Sequence, residues 1–235
     1  MVSLMEGKIN FGSHEIVFNV KFSDRKTLGI KVYPANNVEV LAPLDTTIAT
    51  IEQRIYRRAK WILRQQNYFK QLGERTPEKR FISGESHYYL GRQFLLRVDE
   101  GKPNSVRYKG RYFEVICTPT SKAKELMKEW YKSHAKNKFA EFAEPIIARF
   151  EKYGVAPSSL FIQEMENRWG SCTPKGKIIL NTRLVMAPRP CIEYVITHEL
   201  CHLLHPDHTK AFWELLQKEM PDWERWKNKL ERFML

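Results

Sequence analysis

The 235-residue chain reads as an α+β protein: a β-rich first half, then a half built around helices, one of which carries a dense histidine cluster. Three observations predict this. Residues 7–42 alternate apolar and polar side chains in short runs, "HEIVFNVKF", "TLGIKVYP" and "NVEVLAP", the period-two pattern of half-buried strands, expected to be antiparallel. From Ser121 to about Tyr153 the chain reads as one long helix, expected to bend near Pro145. Finally, "VITHELCHLLHPDH", residues 195–208, holds four of the seven histidines.

The remaining elements follow from local signals. After Pro43, Ile48, Ile51, Ile55, Ile62 and Phe69 recur at helical spacing, with Asp45 or Thr46 to cap the start and Gly73 the end. The opposite face of that helix carries Arg54, Arg57, Arg58 and Arg64, either a solvated basic face or a phosphate-binding one. Strands return at "HYYLGRQFLLRVDE" and "SVRYKGRYFEVICT", turned by Gly91 and Gly110. Two more are expected around the turn "TPKGK". A helix starting at Pro190 should run through the histidines to about His205, since Pro206 disfavours helical geometry in the residue before it. Helices at about 209–219 and 222–234 are separated by Pro221. No internal repeat is visible in the sequence. The composition shift puts a boundary near residue 120, between a β-rich basic region (1–120) and an α+β region (121–235).

Composition narrows the class. Hydrophobic content of 43% with 28% charged residues is that of a folded globular chain. No apolar run approaches the roughly 20 residues that span a bilayer, so no membrane partner is expected. The opening "MVSLMEGKINFGSHEI" lacks a secretory pattern. Cys117, Cys172, Cys191 and Cys201 are scattered without a C-x-x-C, which argues against a disulfide framework and suits the cytoplasm. The formal charge of +12 divides as +8 over residues 1–120 and +4 over 121–235. That balance makes nucleic acid a possible partner of the basic first half, through the four arginines named above.

The chemistry concentrates at His198, Glu199 and His202. Histidines four apart on a helix project from one face and can both bind one Zn²⁺. Glu199, offset around the helix, is placed to act as a base rather than a ligand. Composition alone predicts roughly 0.02 such H-E-x-x-H matches per chain, so chance is a poor account of it. A catalytic zinc needs a third protein ligand. His205, His208, Glu214 and Glu219 are the candidates, and the redirection of the chain at Pro206 favours His208. A second element, "NRWGSC" (167–172), offers Arg168 as a fixed charge, Trp169 as an apolar platform and Gly170 for close backbone approach. With Asn181 in the strand-like "GKIILNTRLV", these three are the candidate substrate contacts. That strand can bind an extended substrate if it lies at a sheet edge, or pack in the interior if it does not. Tyr194 and Arg168 are candidates for oxyanion stabilisation, and Cys172 for an additional metal contact.

"NRWGSC", "ILNTRLVMAP" and "YVITHELCHLLHPDHTKAFW" together resemble the YgjP-like metallopeptidases, relatives of the SprT and WLM zincins. The match is dense from about 160 to 215. The resemblance implies a zincin-like α+β domain holding one Zn²⁺, with His198, His202 and His208 as ligands and Glu199 as catalytic acid/base. The expected activity is hydrolysis of peptide bonds in a peptide or protein substrate. The alternatives are a zinc hydrolase of a non-peptide amide or ester, and a nucleic-acid-associated protein recruited through the basic half.

Overall fold

The computed structural model describes residues 4–33, 37–72, 79–166 and 168–232. Gly73 and Asn167 lie outside the described residues. The chain divides into two compact units at 77/78, not near 120. The reason is burial: Phe94, Leu96, Phe113 and Val115, from strands before residue 120, share one hydrophobic core with the long helix that follows.

The first unit opens with strands β1 (Leu4–Phe11), β2 (His14–Ser23), β3 (Gly29–Val32) and β4 (Val38–Pro43). They form one sheet in the order β1-β2-β4-β3. The β1/β2 and β3/β4 pairs are antiparallel as expected, but β2 and β4 run parallel at its centre. Alternate residues Ile16, Phe18 and Val20 of β2, and Val38, Val40 and Ala42 of β4, are buried. Helix α1 (Ile48–Leu72) closes this core with Ile51, Ile55, Ala59 and Ile62. Its start is capped by Thr47, whose Oγ1 accepts from the Thr50 amide at 3.4 Å, rather than by Asp45 or Thr46.

The second unit begins with β5 (Ser86–Tyr89), β6 (Arg92–Asp99), β7 (Ser105–Lys109) and β8 (Tyr112–Ile116). Their order is β5-β6-β8-β7, with antiparallel outer pairs and a parallel central pair. The first sheet has this same order and pairing, and each sheet is followed by a long helix. The chain therefore repeats a four-strand-plus-helix module that its side chains do not advertise. In the second unit the helix is α2 (Ala123–Phe150), which continues as one helix through Pro145 and ends, after a 3-10 turn at Glu151–Tyr153, at Gly154 with φ +72°. Met127, Trp130, Tyr131, Phe139, Phe142 and Phe150 are among its buried residues, and it packs on β7 and β8 as well as on the elements that follow.

A second sheet of this unit contains β9 (Ser159–Gln163), β10 (Gly170–Cys172) and β11 (Lys177–Asn181), in the order β10-β11-β9. Two strands around 173–176 match the expectation; β9, parallel to β11, is additional. Next come α3 (Arg189–Cys201), α4 (Lys210–Glu219) and α5 (Trp223–Glu231). The entry to α3 is held by the β5–β6 turn: the Leu90 and Gly91 amides donate to the Val185 and Met186 carbonyls at 2.9 and 3.0 Å. A Cβ at Gly91, where φ is +79°, would meet Pro188 at 2.7 Å. Only glycine combines that backbone angle with that approach.

Candidate metal centre and its surroundings

Helix α3 is buried nearly all round, including Ile192, Tyr194, Val195, Ile196, Leu200 and Cys201, so its polar residues are held at fixed depth. It ends at Cys201, earlier than His205, but His202 keeps helical angles (φ −68°, ψ −17°) and His205 N still donates to Cys201 O at 3.0 Å. His198 and His202 thus share a face, with ring centroids 4.9 Å apart. Beyond Pro206 the chain turns back and brings His208 to both, at 5.0 and 4.7 Å. One donor atom from each of the three lies within 4.8 Å of the others.

The donor set suits a metal ion. Nε2 of His198 and Nε2 of His208 are 3.1 Å apart, close to the roughly 3.3 Å edge expected of two nitrogens 2.0–2.1 Å from one tetrahedral ion. His202 Nδ1 lies 3.1 Å from the His205 carbonyl. A carbonyl only accepts, so that nitrogen carries the hydrogen and Nε2 keeps its lone pair. Burial, then the neighbouring His202 and His208, push His198 down to about 3. Burial first, then His202, also lowers His208, against Asp207. Both rings are therefore neutral, with lone pairs available, near pH 7. His198 Nδ1 is buried with no hydrogen-bond partner among the described residues.

The other third-ligand candidates are engaged elsewhere. Glu214 pairs with Lys210 at 3.3 Å. Buried Glu219 accepts from Tyr153 Oη at 2.6 Å and Lys152 Nζ at 2.8 Å. His205 meets the site through its carbonyl. Cys172 Sγ faces the Thr173 carbonyl at 3.6 Å and is outside the histidine cluster.

Glu199 is 5% exposed and faces β10. Burial raises its carboxyl to about 8, against the positive charge of Arg168 and a hydrogen bond from the Cys172 amide, both of which favour the ionised form. Gly170 lies against the carboxylate; a Cβ there would stand 2.6 Å from Oε1. Residues 168–172 and the histidine helix therefore form one site.

The YgjP-like metallopeptidase domain matches residues 26–233. The chain belongs to this family. As a YgjP-like metallopeptidase it is a metal-dependent hydrolase of peptides, and the match runs through both units. A similar solved structure is that of the metallopeptidase zymogen of Pyrococcus abyssi abylysin, 22% identical, covering 41% of this chain and 91% of that one with a TM-score of 0.34. No curated protein matches. No helix among the described residues is long and apolar enough to cross a membrane.

Other expected contacts of this YgjP-like site fall differently. Arg168 is exposed, with Nη1 3.4 Å from Ser171 Oγ. Trp169 is partly buried, its indole N–H buried without a partner among the described residues. Asn181, expected at the substrate, is 3% exposed: its Nδ2 donates to the Met165 and Arg168 carbonyls at 2.7 and 2.8 Å, and its Oδ1 accepts from the Arg183 amide. It clamps the approach to β10. Strand β11 is interior, so the edge beside Glu199 is β10. Tyr194 is 7% exposed and stacks on Trp223 with planes 16° apart, as a core residue does.

Sequence reasoning missed an aromatic column behind His208. Trp213 stacks on His208 (5.4 Å, 23°) and on Trp223 (4.9 Å, 25°). The spacing of "HTKAFW" contained the signal: Phe212 and Trp213 follow His208 by four and five residues, and Phe212 packs against all three histidines.

Proposed function

We propose that the chain is a zinc-dependent peptidase in which His198, His202 and His208 hold one ion and Glu199 is the general base. One observation carries the reading: three imidazoles from α3 and the bend after it converge beside a buried carboxylate held by the facing strand. Three nitrogen ligands with a fourth position open are the usual donor set of catalytic zinc. Bound there, the ion would supply Lewis acidity and positive charge beside the scissile carbonyl.

The chain's own residues would do the rest. With the cation's charge in the site favouring its ionised form, Glu199 would take a proton from the attacking water and return it to the leaving amine. The Cys172 amide orients the carboxylate, and Arg168 favours its ionised form. Among the described residues β10 pairs only with β11 within its sheet, so an extended peptide can add along its other edge through the main-chain groups that the Cys172–Glu199 bond leaves open, with Arg168 and Trp169 flanking. Four thiols without a disulfide suit the reducing cytoplasm.

Purified protein should contain about one equivalent of zinc, and chelation should abolish hydrolysis of an unfolded protein substrate. Glu199→Gln should keep the metal and lose about 10²- to 10⁴-fold in kcat. A full rate in that variant removes Glu199 from the mechanism; absence of metal removes the histidine site.

A further inference from the structure

We propose that the groove between α1 and the edge strand β3 binds a single strand of nucleic acid. The inference does not rest on the peptidase reading, because every residue in it belongs to the first unit. Two adjoining clefts, about 260 and 220 Å³, are lined by Arg54 and Arg57, and by Arg54, Arg58 and Trp61, with Leu28 in both. Positions 54, 57, 58 and 61 follow the i, i+3, i+4, i+7 pattern of one helix stripe. That stripe flanks the apolar face formed by Ile51, Ile55 and Ile62 rather than standing opposite it as expected, so the arginines edge the groove while the isoleucines hold the helix on its sheet. Arg64, expected with them, lines neither cleft.

Charge selects the class of occupant. Helix α1 carries six Lys and Arg against one acidic residue, an excess of +5. Residues 1–77 carry twelve against seven, also +5; the whole excess of the unit is on this helix. Among the described residues, none of Arg54, Arg57 and Arg58 forms a hydrogen bond or ion pair. A row of exposed guanidiniums without ion-pair partners among the described residues is matched by a polyanion. From Arg54 to Trp61 the helix rises about 10 Å, room for roughly two or three consecutive phosphates.

Shape and the indole narrow it further. A concave site between a helix and a strand cannot enter a duplex groove, which takes a protruding element. A single strand can lie in it, with its phosphates on the arginines and a base stacked on Trp61, 38% exposed among them. An acidic peptide would use the arginines but leave the indole idle.

The test is fluorescence anisotropy of the full chain with labelled dT12 and U12, a 12-base-pair duplex and poly-glutamate, over a salt series. Single strands should bind more tightly than the duplex and the polypeptide. Arg54→Gln/Arg57→Gln/Arg58→Gln should reduce the slope of log affinity against log salt by about 2, at about 0.7 per phosphate contact. Trp61→Ala should weaken binding about fivefold or more at an unchanged slope, and Trp61→Phe should restore much of it. All are surface substitutions, and circular dichroism melting should match the parent. Equal affinity for dT12 and poly-glutamate, indifference to Trp61, tighter duplex binding, or no binding at low salt would each overturn the proposal.

Discussion

Gly170 lies so close to Glu199 that a Cβ built on it would stand 2.6 Å from Oε1 and 2.9 Å from the carboxyl carbon. What the position requires is the missing side chain: the carboxylate occupies the space any other residue would fill. Gly170→Ala must therefore push the carboxylate away or lift β10. If Glu199 is the base, as proposed above, the expected result is unchanged metal content with kcat reduced about 10-fold or more, since a displaced base loses much of its contribution. Steady-state kinetics on a quenched fluorescent peptide, paired with metal analysis, check it. A parental kcat would show that the close approach does not position the base.

His208 is the exposed member of the trio, and no backbone or carboxylate group is hydrogen-bonded to its ring among the described residues. The stack on Trp213, backed by Trp223, is what orients it. Trp213→Leu should weaken zinc affinity about 10-fold or more, as loss of an orienting partner does at metal sites. Trp213→Phe should lose less. Chelator competition measures both without reference to activity. Equal affinities in all three proteins would leave the stack as packing alone.

In metal-free protein Glu199 should contribute a pH dependence opposite in sign to that of His198 and His208. Its carboxyl is raised to about 8 by burial, from 4.5. Between those values the folded chain holds a proton that the unfolded chain has released, so this carboxyl's contribution to stability is full below about 4.5 and is lost as pH rises through about 8. Glu199→Gln removes the titrating group. Urea unfolding of the two chelated proteins from pH 5 to 9 should show the parent losing ground to the variant as pH rises. Parallel curves would mean the buried carboxyl is ionised throughout.

Asn181 is predicted to act through stability. Asn181→Ala leaves the Met165 and Arg168 carbonyls and the Arg183 amide without their partner, at about 1–3 kcal/mol for a buried group left unpaired. Asn181→Asp keeps the shape but cannot donate, and should lose about as much. Thermal unfolding should shift by roughly 2–4 °C per kcal/mol. An unshifted midpoint in both variants would return Asn181 to the candidate substrate contacts.

The helix carrying His198, Glu199 and His202 was readable because its period alone aligns residues four apart. His208 was narrower: Pro206 announced a change of direction, but four side chains were available to return. Packing sends Glu219 to Lys152 and Tyr153 and Glu214 to Lys210, and leaves His208 as the candidate beside His198 and His202. The boundary near 120 followed a shift in composition, whereas the units divide where shared burial ends, at 77/78. Strand alternation marked β2, β4, β6 and β8 but not their direction. An inward-facing residue alternates in the same way whether its neighbour runs parallel or antiparallel, so the repeated sheet topology was invisible.

Local periodicity and spacing by themselves determined the α+β class, the histidine helix and the basic face of α1, because each depends on residues a few positions apart. Tertiary structure decided that Gly170 meets Glu199 across 29 positions, that β10 rather than β11 is the edge beside the site, and that Trp213 backs His208. Those contacts arise from burying separate elements in one core, and no short-range pattern encodes which elements will meet.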